Sequence, residues 1–331
     1  MLFTAVVPAL LTVALALNLS NLWVALATML VVGVGGAIYF GLRAAILPEV
    51  LPQEDMYIAG RALLRVSSQA TQVIGSISGG AFVLTLGASG ALWFNAASFL
   101  LLAALVFIGI PRALSFSEHD EPEAAKPGMR AVAATVLRTP GLVGVLLIGW
   151  LAPCFAISVE TLAAPYVSSI GRDPALLSLI LAASGAGMVV GDVIASRMLS
   201  ASARTRLILP AAVLFVGSSV VFLAEPNLEI TLGIVFIAGL GIMCLPGLDS
   251  ATIRLTPKSV RGTVLSVQFL IFLGIQGVAA LLWGVLGSTM APNMALALIG
   301  ALGIVTIVVL YLATHRAVES VKANQEEAVE S

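Results

Sequence analysis

The chain has 331 residues, of which 60% are hydrophobic and only 10% charged, with a net charge of −1; its mean hydropathy is +1.09. A water-facing surface needs roughly a quarter of all residues charged, so much of this exterior must face lipid. The near-zero net charge removes the electrostatic case for a nucleic-acid partner and leaves the lipid bilayer as the first expected one.

Crossing hydrocarbon takes a helix of about 20 apolar residues. Ten runs meet that need, near 2–17, 22–42, 66–86, 90–110, 142–168, 175–196, 206–224, 229–248, 263–286 and 292–314. Their apolarity is continuous rather than alternating, which favours helices over a barrel, the other structure that satisfies its backbone in lipid. The first run has no basic start and a second follows within four residues, so it reads as a span and not as a cleaved leader. The fold class expected is therefore an all-α membrane protein of about ten spans.

Basic residues set the orientation. With residue 1 in the cytoplasm, 15 of the 16 Lys and Arg fall on the cytoplasmic side and Arg172 alone falls outside. The opposite orientation reverses that ratio, against the positive-inside rule. The chain is thus expected in the inner or plasma membrane with both termini cytoplasmic. Four spans in 1–110 form a first bundle, and six in 142–315 form a second. Between them, 111–141 is a polar cytoplasmic loop carrying SFSEHDEPEAAKPGMR, and 316–331 is a charged, solvated tail.

The halves echo each other weakly. PEVLPQEDMYIAGRALLRVSSQATQVIGSISGG and PKSVRGTVLSVQFLIFLGIQG each run from a Pro-containing stretch through basic residues into a span with Gln and Gly. Such repeats are a mark of secondary transporters. On LPEVLPQEDMYIAGRAL, GSISGG at 75–80, ASGALWFNAASFLL at 88–101, TPKSVRGTVLS at 256–266 and GMVVGDVIASRMLSASARTR at 187–206, the chain resembles the major facilitator superfamily, with closest likeness to bacterial drug and macrolide efflux proteins. The resemblance implies a two-bundle architecture in which the ten spans match family helices three to twelve. The N-terminal bundle is then incomplete, through a natural short form, a wrong start site or a broken gene. It implies a secondary transporter, proton-coupled, exporting small amphipathic molecules by alternating access. The other reading is a non-transporting pseudo-transporter, or a binding subunit whose partner supplies the missing helices.

Polar residues inside the spans are the candidate sites. Glu160 sits between Pro153 and Pro165, where missing backbone donors favour a broken helix and an ionised carboxylate is costly unless paired or wet. It is either a proton or cationic-substrate site, or an outer-interface residue reaching water. Gln69, Gln72, Gln268 and Gln276 lie on spans that the resemblance puts between the bundles, where amides bond a substrate or another helix. Trp150 and Trp283 either stack on a flat or cationic ligand or pack. In family terms Asp192, Arg197 and Arg204, with Arg206, form an inside latch, and Asp249 with Arg254 and Arg261 a second; ordinary anchoring charges are the other reading of both. Gly75, Gly79 and Gly80 are a helix-packing motif. Ser76 stands where family antiporters usually carry Pro, which weakens an antiporter reading.

Other chemistry is not expected. His119 and His315 are solitary, Cys154 and Cys244 sit in apolar runs, and no GxxxxGK[ST] stretch occurs. No metal site, cofactor, ATP drive or enzymatic centre is therefore expected, and a proton gradient remains as the energy source.

Overall fold

A computed structural model describes residues 10, 12, 13, 23, 51, 54–109, 129–172, 176–257 and 260–330. The spans expected at 2–17 and 22–42 lie outside them but for residues 10, 12, 13 and 23, as does most of the 111–141 loop. The described elements are all helical. They are α1 (Glu54–Gly109), α2 (Met129–Arg138), α3 (Leu142–Ser169) and α4 (Leu177–Val193), which runs into a π-helical turn at Ile194–Met198. Then come α5 (Ala201–Arg206), α6 (Ile208–Gly217) with a 3-10 extension Ser218–Ala224, α7 (Leu228–Leu240), a 3-10 turn Gly241–Met243 and α8 (Cys244–Leu255). The chain ends in α9 (Arg261–Thr289) and α10 (Pro292–Glu330).

Among the described residues, six helical stretches are long and apolar enough to cross a membrane: Val66–Gly87, Leu142–Ser169, Leu177–Met198, Leu228–Leu255, Ile271–Thr289 and Pro292–His315. That is fewer than the ten expected. Two of the expected spans are shorter apolar helices, Ser89–Leu105 and Ile208–Ala224. The second of these has a physical compensation. A 3-10 helix rises ~2.0 Å per residue against ~1.5 Å for an α-helix, so its 17 residues reach about 29 Å, close to the thickness of the hydrocarbon.

By contacts the chain forms two compact units, Met1–Ile46 with Ser78–Pro127, and Leu47–Ile77 with Gly128–Ser331. The helix α1 is divided between them, its residues up to Ile77 in the second unit and those from Ser78 in the first, and within the first it is not one rod. Gly87 has φ 72 and ψ 173, a conformation open essentially to glycine alone. The rings of Phe82 and Phe94 lie 4.2 Å apart on either side of it. Twelve residues of straight helix would separate them by ~18 Å, so the chain reverses at Gly87 and α1 is a helical hairpin.

In the second unit α3 is the axis. Its first half packs Val145, Ile148 and Ala152 against Ile208, Ala212 and Phe215 of α6, Cys244 and Leu248 of α8, and Ile307 of α10. Its second half packs Leu162, Tyr166 and Val167 against Ile180, Phe222, Val235, Leu296 and Ile299. The helix α10 shows how a span serves two solvents. Ala295, Leu296, Ile299 and Ile307 are buried, while Leu298, Leu302, Val305, Val309 and Leu312 form an exposed apolar stripe. A helix that is apolar on every side belongs in lipid. It continues beyond the hydrophobic stretch to Glu330, so the expected tail is helical.

The helices α4 and α7 meet through glycine. A Cβ placed on Gly187 would collide with the backbone oxygen of Phe236, and one on Gly239 would lie 2.5 Å from Ser184 O and 2.8 Å from Met188 N. Gly191 likewise faces Leu240 O at 2.7 Å. With no apolar drive between helices in lipid, such backbone approach supplies dispersion contact. Gly187 and Gly191 are a GxxxG pair that the sequence reading absorbed into a loop motif. Gly75 and Gly79, named there for packing, have open space where a Cβ would stand, with no atom within 4 Å.

Candidate functional site

The site is built on α3. Pro153 and Pro165 both lie inside this helix, yet Leu142–Ser169 is continuous. The expected break is absent, and the helix is tied to its neighbours near these prolines. The indole Nε1 of Trp283 donates to Cys154 O at 2.7 Å, and its ring stacks on Phe155 at 5.6 Å. The Nε1 of Trp150 donates to Gln268 O at 3.1 Å. Two tryptophans, one from each helix, thus tie α3 to α9 through backbone carbonyls. Near the C-terminal end of α3 Tyr166, which is buried, donates its hydroxyl to Pro226 O at 3.0 Å and meets Phe222 edge-on at 4.9 Å.

Glu160 lies on this braced helix and is partly buried. The side chain of Gln72, on the first arm of α1, hydrogen-bonds its carboxylate. An ionised carboxylate would accept from the amide N–H, since it has no proton to donate. Gln69 is one turn away on the same arm, and its Oε1 is buried with no hydrogen-bond partner. Which amide atom points which way is set by the bonding network. This arm also leans on α4: a Cβ on Gly185 would stand 2.7 Å from Val73 Cγ2 and 3.7 Å from Gln69 O. The arm of α1 thus brings the Gln72 amide to the carboxylate on α3 and carries a second amide, Gln69, with an unpartnered oxygen. That set can hold or release a proton, or receive a polar or cationic group, because each state leaves a different number of donors to satisfy.

The other expected site residues are distributed differently. Trp150 is ten residues before Glu160 on α3, ~15 Å along the axis, and its N–H is spent on α9. Gln276 is half-buried on α9, and Gln268 Oε1 is buried without a partner. Asp192 is fully buried at the end of α4, whereas Arg197, in the π-helical turn, is exposed. Ser196 Oγ donates to Asp192 O at 2.6 Å within that turn. Asp249 is buried on α8, Arg254 is exposed, and Arg261 donates Nη2 to Thr256 O at 3.3 Å. The two expected latches share a corner: a Cβ on Gly247 would stand 2.6 Å from Arg204 O. Gly247 has no charge or amide to flag it, so the sequence reading passed it over. Among the described residues no group of three or more His, Cys, Asp or Glu is placed to hold a metal ion.

A family model described as "Transmembrane secretion effector" matches residues 1–330. No curated protein matches the chain.

Proposed function

The chain belongs to the transmembrane secretion effector family, a major facilitator group of multi-pass membrane transporters, and from that premise we propose a proton-coupled exporter of small amphipathic molecules, working by alternating access in the inner or plasma membrane. The observation that carries the coupling is the Gln72 amide set against the Glu160 carboxylate inside the span. A carboxylate in hydrocarbon costs a few kcal/mol or more unless it is paired, hydrated or protonated. Alternating access changes which of these holds. When the α1 arm and α3 stay together, Gln72 donates to the ionised Glu160. When they part, the carboxylate loses that donor and takes up a proton or a cationic substrate. Proton and substrate then compete for one site, which is the minimal requirement for exchange.

The gradient supplies the energy and no cofactor is needed. The basic residues on one side support cytoplasmic termini. By the same positive-inside reading Asp192, Arg197, Arg204, Asp249 and Arg261 lie towards the cytoplasmic side and act as the inner gate, their contacts made in one state and parted in the other.

The test uses inverted membrane vesicles energised by a pH gradient, with ethidium as the fluorescent amphipathic cation. Glu160→Gln keeps the hydrogen-bonding shape and removes the titration. Gradient-driven ethidium movement should vanish while the folded yield is unchanged. Transport at the unsubstituted rate would end the proposed role of Glu160.

A further inference from the structure

The helix α2 is not used by any of this, and its two faces differ sharply. Val132 is 4% exposed and packs with Val136 on Val260 and Val264, at the start of α9. The opposite face carries Arg130, Leu137 and Arg138, all exposed, with Leu137 at 74%. In a helix, positions 130, 134, 137 and 138 fall on one side, so two cations flank an apolar side chain.

Its place in the fold is fixed by a short tether. Only Thr139, Pro140 and Gly141 separate α2 from α3, a membrane span. That turn is ordered: Thr139 N donates to Thr135 O at 3.0 Å, Leu142 N to Thr139 O at 3.2 Å, and Gly141 adopts φ 78. Four steps of chain reach at most ~14 Å. Arg138 therefore cannot leave the surface of the bilayer that Leu142 enters, and its partner helix α9 enters the membrane beside it. Cations flanking an apolar residue at that depth match a phospholipid surface, with Leu137 among the acyl chains and the guanidiniums on phosphates.

We propose that α2 is a headgroup-level helix whose Arg130–Leu137–Arg138 face binds anionic phospholipid. Each juxtamembrane arginine favours anionic over neutral lipid roughly fivefold, so the pair gives about 25-fold.

The experiment uses the full chain in nanodiscs, labelled with bimane at Ala134→Cys. Ala134 is exposed and the native Cys154 and Cys244 are buried, so labelling is selective. Brominated phosphatidylglycerol or brominated phosphatidylcholine is the quencher, each in the same lipid mixture. The expected result is stronger quenching by the phosphatidylglycerol, lost in Arg130→Gln/Arg138→Gln and kept in Arg130→Lys/Arg138→Lys. Raising the salt to 0.5 M should weaken the preference in the chain with both arginines intact, a readout that no folding defect can mimic. Equal quenching by the two lipids, a preference indifferent to salt or to the Gln pair, or no quenching by either lipid would each overturn the proposal.

Discussion

Adding one methyl group to Gly239 should destabilise the protein, and adding one to Gly233 should not. Both glycines are on α7, six residues apart. A Cβ on Gly233 meets nothing within 4 Å, whereas one on Gly239 lands 2.5 Å from Ser184 O, about 0.9 Å short of the 3.4 Å at which ordinary contact begins. The atoms it meets are backbone, Ser184 O, Met188 N and Gly187 C, so no side chain can swing aside and α4 must move bodily. Helix propensity gains ~1 kcal/mol at either position. Overpacking costs about 1–3 kcal/mol, to which the lost contacts along α4 are added. The net expectation is a gain of up to about 1 kcal/mol for Gly233→Ala and a loss of about 0–2 kcal/mol for Gly239→Ala. Reversible unfolding in mixed micelles, followed by helical circular dichroism, reads both. If the two variants unfold together, or Gly239→Ala is the more stable, the glycine seam between α4 and α7 is not what holds them.

Gly87→Ala meets no neighbour but must adopt φ 72 and ψ 173. It should lose about 1–3 kcal/mol in the same assay, while Gly75→Ala, also unobstructed, loses nothing. Tyr166→Phe removes one buried donor to Pro226 O, which still accepts from Thr231 Oγ1 at 3.3 Å; a loss of about 0.5–1.5 kcal/mol in unfolding free energy is expected. Trp283→Phe keeps an aromatic ring on Phe155 but drops the bond to Cys154 O. It should destabilise by a similar amount, and an unchanged midpoint would remove the α3–α9 tie. Reporter fusions after residues 120 and 325 should both signal cytoplasm, and a periplasmic signal at either breaks the proposed orientation.

The spans that the structure describes were legible because their code is local. A run of apolar residues of the right length is enough, and Leu142–Ser169 and Pro292–His315 fall within a residue of expectation. The turn at Gly87 was legible too, since the expected spans 66–86 and 90–110 leave only three residues between them. The contacts that make the site were not. Gln72 and Glu160 are 88 positions apart, and nothing in either neighbourhood names the other. The prolines at 153 and 165 misled, because propensity marks where a helix can break while tertiary packing overrides it in Leu142–Ser169. Glycines misled in the same way: GSISGG advertises packing and has open space at Gly75 and Gly79, while Gly187, Gly239 and Gly247 carry the close approaches. The helix α2 was hidden in a stretch read as polar loop, because ten residues of amphipathic pattern are brief beside the charged run before them.

The account rests on Glu160 exchanging a proton for substrate. The direct measurement is proton flux from purified protein in liposomes holding a pH gradient, followed with a pH-sensitive dye as ethidium is added. The account predicts that ethidium collapses the gradient only where protein with Glu160 is present, and that Glu160→Gln liposomes behave as empty ones. A gradient that ethidium leaves untouched, or one that decays equally with Glu160→Gln, would contradict it.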